Sequence, residues 1–360
     1  MIVVSILIFL LILGVLVTVH EFGHFITAKL SGIRVTEFAI GMGPKLWKKQ
    51  KGETLYSIRA LPIGGFCSMG EDEEANPDDP HAFPNAKRRR RALVLAAGSV
   101  MNFLLGFLIL LGLNLTYHAN TTAFVEPVVT SVRTDSVDAE WTQLFQTGDR
   151  VLRIGGHAIY NYYDVRLFSS LRAEGPYDIV VERDGQRITL PGVAKTHFDD
   201  SENTYLGIGM NQLEPATLGS RIANAWYDSI DNVRLVWVSL GELFGGRAKV
   251  TDLMGPVGMA NLVDSQVQAP NASAAEKVMS ILSFAALIAI NLAVMNMLPI
   301  PGLDGSRLLF LAVEGVRRKR LNPKYEGYVH AGGMVLLFAF MIFIFFNDII
   351  RWITGGGIGA

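Results

Sequence analysis

IVVSILIFLLILGVLVTVHEFGH, residues 2–24, is apolar up to Val19 apart from Ser5, Gly14 and Thr18, and then sets His20, Glu21 and His24 in the pattern H-E-x-x-H. The run approaches the ~20 residues that a bilayer core requires of a helix. Two imidazoles at i and i+4 share one helix face, one turn apart, within reach of a single zinc ion. Glu21 beside them can take a proton from the attacking water. Ionisable side chains at membrane depth are costly, and such residues default to function. The competing reading is a polar helix end at the lipid boundary.

The wider composition agrees with a membrane chain. Of 360 residues half are hydrophobic and 18% are charged, below the roughly 25% of soluble domains. A formal net charge of −1 gives no call for nucleic acid as a partner. Cys67 is the single cysteine, which excludes an internal disulfide and argues against a cysteine-rich zinc site, so His and carboxylate are the expected ligands. No basic segment precedes the first apolar run and no small-x-small site follows it, so it is expected to be retained rather than cleaved.

Four stretches are long and apolar enough to span, roughly 2–25, 92–117, 278–298 and 333–353. Lys87 to Arg91 abuts the second, and Arg317 to Arg320 lies between the third and fourth. Lys and Arg favour the cytoplasmic side. Both basic clusters are then inside, and the N-terminus, the large middle region and the C-terminus are outside. Spans one and three both run inward. The first carries His20 and His24 at its inner end; the third ends in Asn296-Met-Leu-Pro-Ile-Pro-Gly-Leu-Asp304-Gly305. Pro299 and Pro301 cannot continue a helix, so Asp304 arrives near the depth of the histidines. Two His, one Asp and a water make a tetrahedral catalytic zinc site. An Asp-Gly turn that merely ends the helix is the alternative.

Residues 37–46 and 54–69 alternate in part and carry Gly and Pro, which predicts strands and tight turns. The segment is too apolar for a solvated loop. It either dips back towards the membrane, where a strand edge can pair with an unwound substrate, or forms a plain cytoplasmic hairpin. Residues 71–84 read as a surface loop. In the second span Gly98 allows close helix packing. Asn102 is a buried-amide candidate, either interhelical glue or a substrate contact.

From 123 to 195 the pattern changes to short strands at 125–132, 150–154 and 177–183, with turns at Gly148-Asp149, Gly155-Gly156 and Asp184-Gly185. The run from Leu144 to Gly156 resembles a PDZ domain, which would bind an extended peptide or act as a steric filter. Residues 218–244 show apolar positions at helical spacing, predicting an amphipathic helix at the outer membrane surface or a core-packed one. Gly255-Pro256-Val257-Gly258 predicts a turn before the third span. His81, His118, His157, His197 and His330 read as surface residues, and Cys67 as a small residue in a Gly-rich turn.

With H-E-F-G-H in span one, Gly98-x-x-x-Asn102 in span two, a PDZ-like insert, and N-x-x-P-x-P-x-L-D-G from Asn296 to Gly305, the chain resembles the site-2 protease family, in particular RseP-type bacterial intramembrane metalloproteases. The resemblance covers nearly the whole chain in order, with one PDZ-like unit where some members carry two. It implies an α-helical polytopic membrane protein with four transmembrane helices, a reentrant β element and an inserted extracytoplasmic PDZ-like α+β domain. The expected divisions are 1–30, 31–91 (reentrant), 92–118, 119–200 (PDZ-like), 201–277 (amphipathic), 278–305, 306–332 (basic loop) and 333–354. It implies His20, His24 and Asp304 as zinc ligands and Glu21 as general base. Asn291, Asn296, Pro299 and Pro301, with Asn102, would shape the substrate site. Implied partners are the lipid bilayer of a bacterial inner membrane and single-span substrates such as clipped anti-sigma factors and remnant signal peptides. A non-catalytic scaffold using the PDZ-like domain is the rival reading, and for it an incomplete ligand set is expected.

Overall fold

A computed structural model of the chain describes residues 2–69, 79–116, 123–133, 144–171, 176–197, 204–246, 253–319 and 321–353. In chain order the elements are α1 (Ile2–Leu30), β1 (Glu37–Lys51), β2 (Thr54–Ser68), α2 (Arg88–Thr116), β3 (Ala123–Val125), β4 (Ser131–Val132), β5 (Arg150–Ile154), β6 (His157–Ala158), α3 (Tyr162–Leu171), β7 (Tyr177–Arg183) and β8 (Gln186–Val193). There follow β9 (Thr196–His197), β10 (Thr204–Tyr205), β11 (Ile208–Gly209), β12 (Leu213–Pro215), α4 (Leu218–Phe244), α5 (Pro256–Gln268), α6 (Ala274–Asn296), α7 (Asp304–Arg317) and α8 (Pro323–Ile353). The chain divides into two compact units, residues 1–110 with 232–360, and residues 111–231.

Four helices are long and apolar enough to cross a membrane: Val3–Leu30, Arg88–Thr116, Ala274–Asn296 and Tyr325–Arg351. They make the chain a membrane protein with four candidate spans. The observed helices overrun the expected stretches by several residues, because a helix does not stop where apolarity stops. In the first unit, Phe9 and Leu16 of α1 share a buried cluster with Ala260 and Val263 of α5 and with Ile288 and Ala289 of α6. A second cluster joins Ala28, Ile33, Val35, Met69, Phe83, Val94, Leu95 and Leu311. The turn expected at Gly255-Pro256 is instead the start of α5. Pro256 occupies the first helical turn, where its missing N–H costs nothing. The buried Asp348 carboxylate of α8 accepts the Gly255 and Gly258 N–H groups at 3.2 and 2.9 Å.

β1 and β2 pair as a hairpin folded back on itself. Residues 45–51 pair with 54–59, while Phe38 pairs with both Tyr56 and Cys67, and Ile40 with both Ile58 and Gly65. Gly41, Gly43 and Gly64 make the folds, all at φ near +85°, a region that Gly alone enters freely. Cys67 therefore lies in a strand, not a turn.

In the second unit β5, β7 and β8 form an antiparallel sheet, with β6 on its edge in the order β6-β5-β7-β8. Val151, Ile154, Tyr177, Ile179, Val181, Leu190 and Val193 are buried with Val165 and Phe168 of α3. The strand expected over 125–132 is broken, because Pro127 has no N–H to donate: β3 pairs with β12 and β4 with β11. Fully buried Asp149 takes a two-point ion pair from Arg183 at 2.7 and 2.8 Å. His118 lies outside the described residues; His157 is not loose surface but stacks on Phe168 at 4.6 Å.

Candidate active site

α1 carries His20 and His24 one turn apart, both under a tenth exposed. α6 ends at Asn296, and the chain turns through Leu298–Leu303 by short backbone bonds, Ile300 N–H to Leu298 O at 2.8 Å and Leu303 N–H to Ile300 O at 3.1 Å. It re-enters a helix at Asp304. A side chain at Gly305 would collide with the carbonyls of Met297 and Leu298, so glycine there lets the turn close.

The three side chains converge. His20 Nε2 lies 3.0 Å from Asp304 Oδ2, His24 Nε2 3.2 Å from the same oxygen, and the two Nε2 atoms are 3.1 Å apart. His24 Nδ1 is 2.8 Å from the Val94 carbonyl oxygen, which can only accept, so Nδ1 carries the proton. His24 Nε2 then turns a lone pair inward in the neutral ring. Tetrahedral zinc with bonds of about 2.0–2.1 Å places its ligand atoms about 3.3 Å apart, and this triangle is close to that size.

Two further observations test the fit. A Cβ on Gly98 would stand 2.5 Å from His24 Nε2 and 2.7 Å from His20 Nε2, so the absent side chain leaves a cradle against both inward nitrogens. Asn102 and Asn296 each bring an amide nitrogen to 3.5 Å from His20 Nδ1, while Asn102 Oδ1 is buried with no partner among the described residues. An amide turned over exchanges its donor nitrogen and acceptor oxygen. Turned over, Asn102 would accept His20 Nδ1–H and leave His20 Nε2 unprotonated. A carbonyl or amide behind each imidazole is the usual support of a ligating histidine. The residues present therefore fit a zinc ion.

Glu21 interacts electrostatically with all three members of the triad. It lies against β2, with its Cγ 3.5 Å from where a Gly65 Cβ would be, and it bonds to the backbone of Cys67. The structure brings Asn102 and Asn296 to His20 but not the other expected substrate residues. Asn291 keeps its Oδ1 buried with no partner among the described residues, Pro299 is exposed, and Pro301 packs on Gly333 of α8. None of these three hydrogen-bonds to the triad among the described residues. Sequence reasoning missed the Val94 carbonyl and the contact of Glu21 with β2. A signal for the first existed: Val94, Gly98 and Asn102 repeat at four-residue spacing, one stripe of α2.

A model described as Peptidase family M50 matches residues 8–340. A protein of Clostridium perfringens named as a zinc metalloprotease is 35% identical over 343 residues, covering 95% of this chain and 97% of its own. Proteins of the same description from Rhizobium meliloti (32% over 375 residues, 96% of each chain) and Fusobacterium nucleatum (31% over 352 residues, 95% of this chain and 98% of its own) are also similar.

Proposed function

The chain belongs to peptidase family M50 and is a zinc metalloprotease of site-2 protease type, and we propose from that premise that it cuts peptide bonds inside single membrane-spanning segments. His20, His24 and Asp304 hold the zinc and Glu21 is the general base. The observation that carries this is the depth of the triad. His20 lies roughly 27 Å along α1 from Ile2 at 1.5 Å per residue, within a helix that is a candidate span. A site so placed meets chain that is itself in the membrane.

With zinc bound, the site gains a Lewis acid able to polarise a carbonyl and to bring a water's pKa near neutrality. The remaining work falls to the chain. Glu21 takes the proton of the attacking water and returns it to the leaving amine. A helical substrate has its amides paired internally and must unwind first. The β2 segment beside Glu21 is placed to pair with the freed backbone by strand addition, and the Asn296 amide to hold a substrate carbonyl. Water reaches Glu21 from the cytoplasmic side, where the basic clusters place the inner end of α1.

The second unit's four-stranded sheet with α3 supports the PDZ-like reading, and with the orientation read from the basic clusters a segment between spans two and three is an outer one. It then limits the size of the outer part of a substrate. Substrates are single-span proteins already clipped outside, anti-sigma factors or remnant signal peptides, in a bacterial inner membrane.

The test pairs metal content with cleavage. Wild type and Glu21→Gln are purified in detergent, zinc per chain is counted, and each is given a single-span substrate. One zinc in both with cleavage in the wild type alone is expected. Undiminished cleavage by Glu21→Gln removes the base assignment, and absence of zinc from both removes the site.

A further inference from the structure

Arg91 and Glu314 form an ion pair far from the reacting groups. Arg91 Nη1 is 3.1 Å from Glu314 Oε2, and the side chains are only 11% and 6% exposed. Glu314 is used fully: its other oxygen accepts the Leu321 N–H at 3.1 Å, and its own carbonyl accepts from Arg88 Nη1 at 3.1 Å. The Arg91 guanidinium also lies over the Phe83 ring at 5.5 Å. A buried charge pair is poor evidence for stability, since apolar residues of similar volume often do as well. Its value is geometric, because both members must meet at one place.

The two helices it joins are the two that complete the histidine site. On α2, Arg91, Val94, Gly98 and Asn102 fall at spacings of three and four, on one face. Val94 O holds His24, Gly98 cradles both imidazoles, and Asn102 reaches His20. On α7, Asp304, Leu308, Leu311 and Glu314 fall at the same spacings. Leu308 and Leu311 pack in the cluster that holds Val94 and Leu95. The α7 stripe thus has Asp304 at one end, apolar Leu308 and Leu311 between and Glu314 at the other, while the α2 stripe carries its contacts to the histidines from Val94 to Asn102 and Arg91 one turn before them. Apolar contacts restrict register, but a buried polar pair specifies it more sharply. Gly305 holds the near end of α7 against the chain before it. The far end, roughly 15 Å from Asp304, is held by Glu314.

We propose that Arg91 and Glu314 are positioning residues for the metal centre: their pairing sets the register and tilt of α7 against α2 and so aims the Asp304 carboxylate at His20 and His24. This rests on the reading of those three residues as the zinc ligands. Metal sites tolerate about 0.5 Å and 10–20° of misplacement, so a released far end is felt at the ligand before the fold is lost.

The experiment measures Zn2+ affinity by chelator competition, and the visible absorption of the Co2+-loaded protein, on the full chain in detergent. The variants are Asp304→Asn, Glu314→Gln, the pair together, Arg91→Lys, and the swap Arg91→Glu with Glu314→Arg. Asp304→Asn is read first: unchanged Zn2+ affinity sinks the ligand reading itself. With that reading standing, Glu314→Gln is expected to weaken Zn2+ at least tenfold and alter the Co2+ bands. The pair together is expected to be no worse than Asp304→Asn alone, and the swap to recover part of the loss. A folded Glu314→Gln with wild-type Zn2+ affinity and Co2+ bands overturns the proposal. If Glu314→Gln does not fold, Arg91→Lys decides: a severalfold loss of affinity in a folded protein supports the proposal, and wild-type affinity overturns it. Ser5→Ala, which removes the 2.6 Å bond from α1 to Asp264 on α5, is the control. It lowers the melting temperature without moving the Co2+ spectrum.

Discussion

Replacing Gly98 by alanine adds one methyl group at the place where the triad is closed. The new Cβ would stand 2.5 Å from His24 Nε2, 2.6 Å from His20 Cε1 and 2.7 Å from His20 Nε2. Contacts in a packed interior settle above 3 Å, so both rings must withdraw by roughly 0.5–0.9 Å. They cannot do so freely: His24 is held behind by Val94 O at 2.8 Å, and Asn102 and Asn296 stand behind His20. The displaced atoms are the ones proposed to bind zinc, and the shift exceeds the ~0.5 Å that such a site tolerates. A misplacement near 1 Å costs on the order of 100-fold in rate, and a loss of at least that size is expected in both zinc affinity and cleavage. The general cost of overpacking must be separated from this. Gly106 of the same helix serves, because a Cβ there meets Ile290 Cγ1 at 2.6 Å and the Ala286 carbonyl oxygen at 3.1 Å, neither of them part of the triad. Gly106→Ala should lose roughly 1–3 kcal/mol of stability and still bind one zinc. Zinc affinity is measured by chelator competition and stability by thermal melting. A Gly98→Ala protein that holds zinc as tightly as the wild type would show that the metal sits elsewhere.

Three further outcomes are expected. Asp348→Ala leaves the buried Gly255 and Gly258 N–H groups of α5 without an acceptor, which should cost about 2–6 kcal/mol at 1–3 for each orphaned group; an unchanged melting temperature counts against the cap. In the second unit the Asp228 carboxyl is pushed up to about 6 by burial, with the Asn114 amide opposing and the Asp164 charge adding to the rise. An acid with a raised pKa is destabilising when ionised, so the cost is absent below its ordinary value near 3.8, grows as pH rises, and is complete above about 6. Asp228→Asn should therefore raise the melting temperature at pH 8, by a stability gain on the order of 3 kcal/mol at most, and do little at pH 4; equal shifts at both would refute it. Deleting residues 123–195 should admit substrates with larger outer domains, tested by cleavage of single-span substrates with graded extensions, and unchanged selectivity would remove the filter.

What the sequence made legible follows from the range of the interaction involved. The spans, β5 and β7 are written in local hydrophobic pattern, and so is the pairing of His20 with His24. Asp304 was reachable because the two charge clusters, read by the preference of Lys and Arg for the inner side, give spans one and three the same expected direction. The hairpin was legible as strands but not as strands that fold back, because positive φ at Gly41, Gly43 and Gly64 is a property of the closed structure. α5 was hidden because its cap, Asp348, comes from 90 residues further along the chain.

Arg91 shows why such contacts stay hidden. In the sequence it belongs to Lys87–Arg91, a cluster that orients α2, and that reading uses nothing but its charge and its place beside a span. In the structure Lys87, Arg89 and Arg90 are exposed, whereas Arg91 is turned inward onto Glu314, 223 residues away. The two uses do not compete. Orientation by the basic cluster depends on positive charge near the end of a span and not on what α7 packs against. The ion pair needs more than charge: Arg91 Nη1 meets Glu314 Oε2 at 3.1 Å while the planar guanidinium lies over the Phe83 ring, a placement that the compact ammonium of lysine does not reproduce. A lysine at position 91 would therefore serve the first role better than the second. Only the second depends on where Glu314 lies, and no local pattern around Arg91 records that.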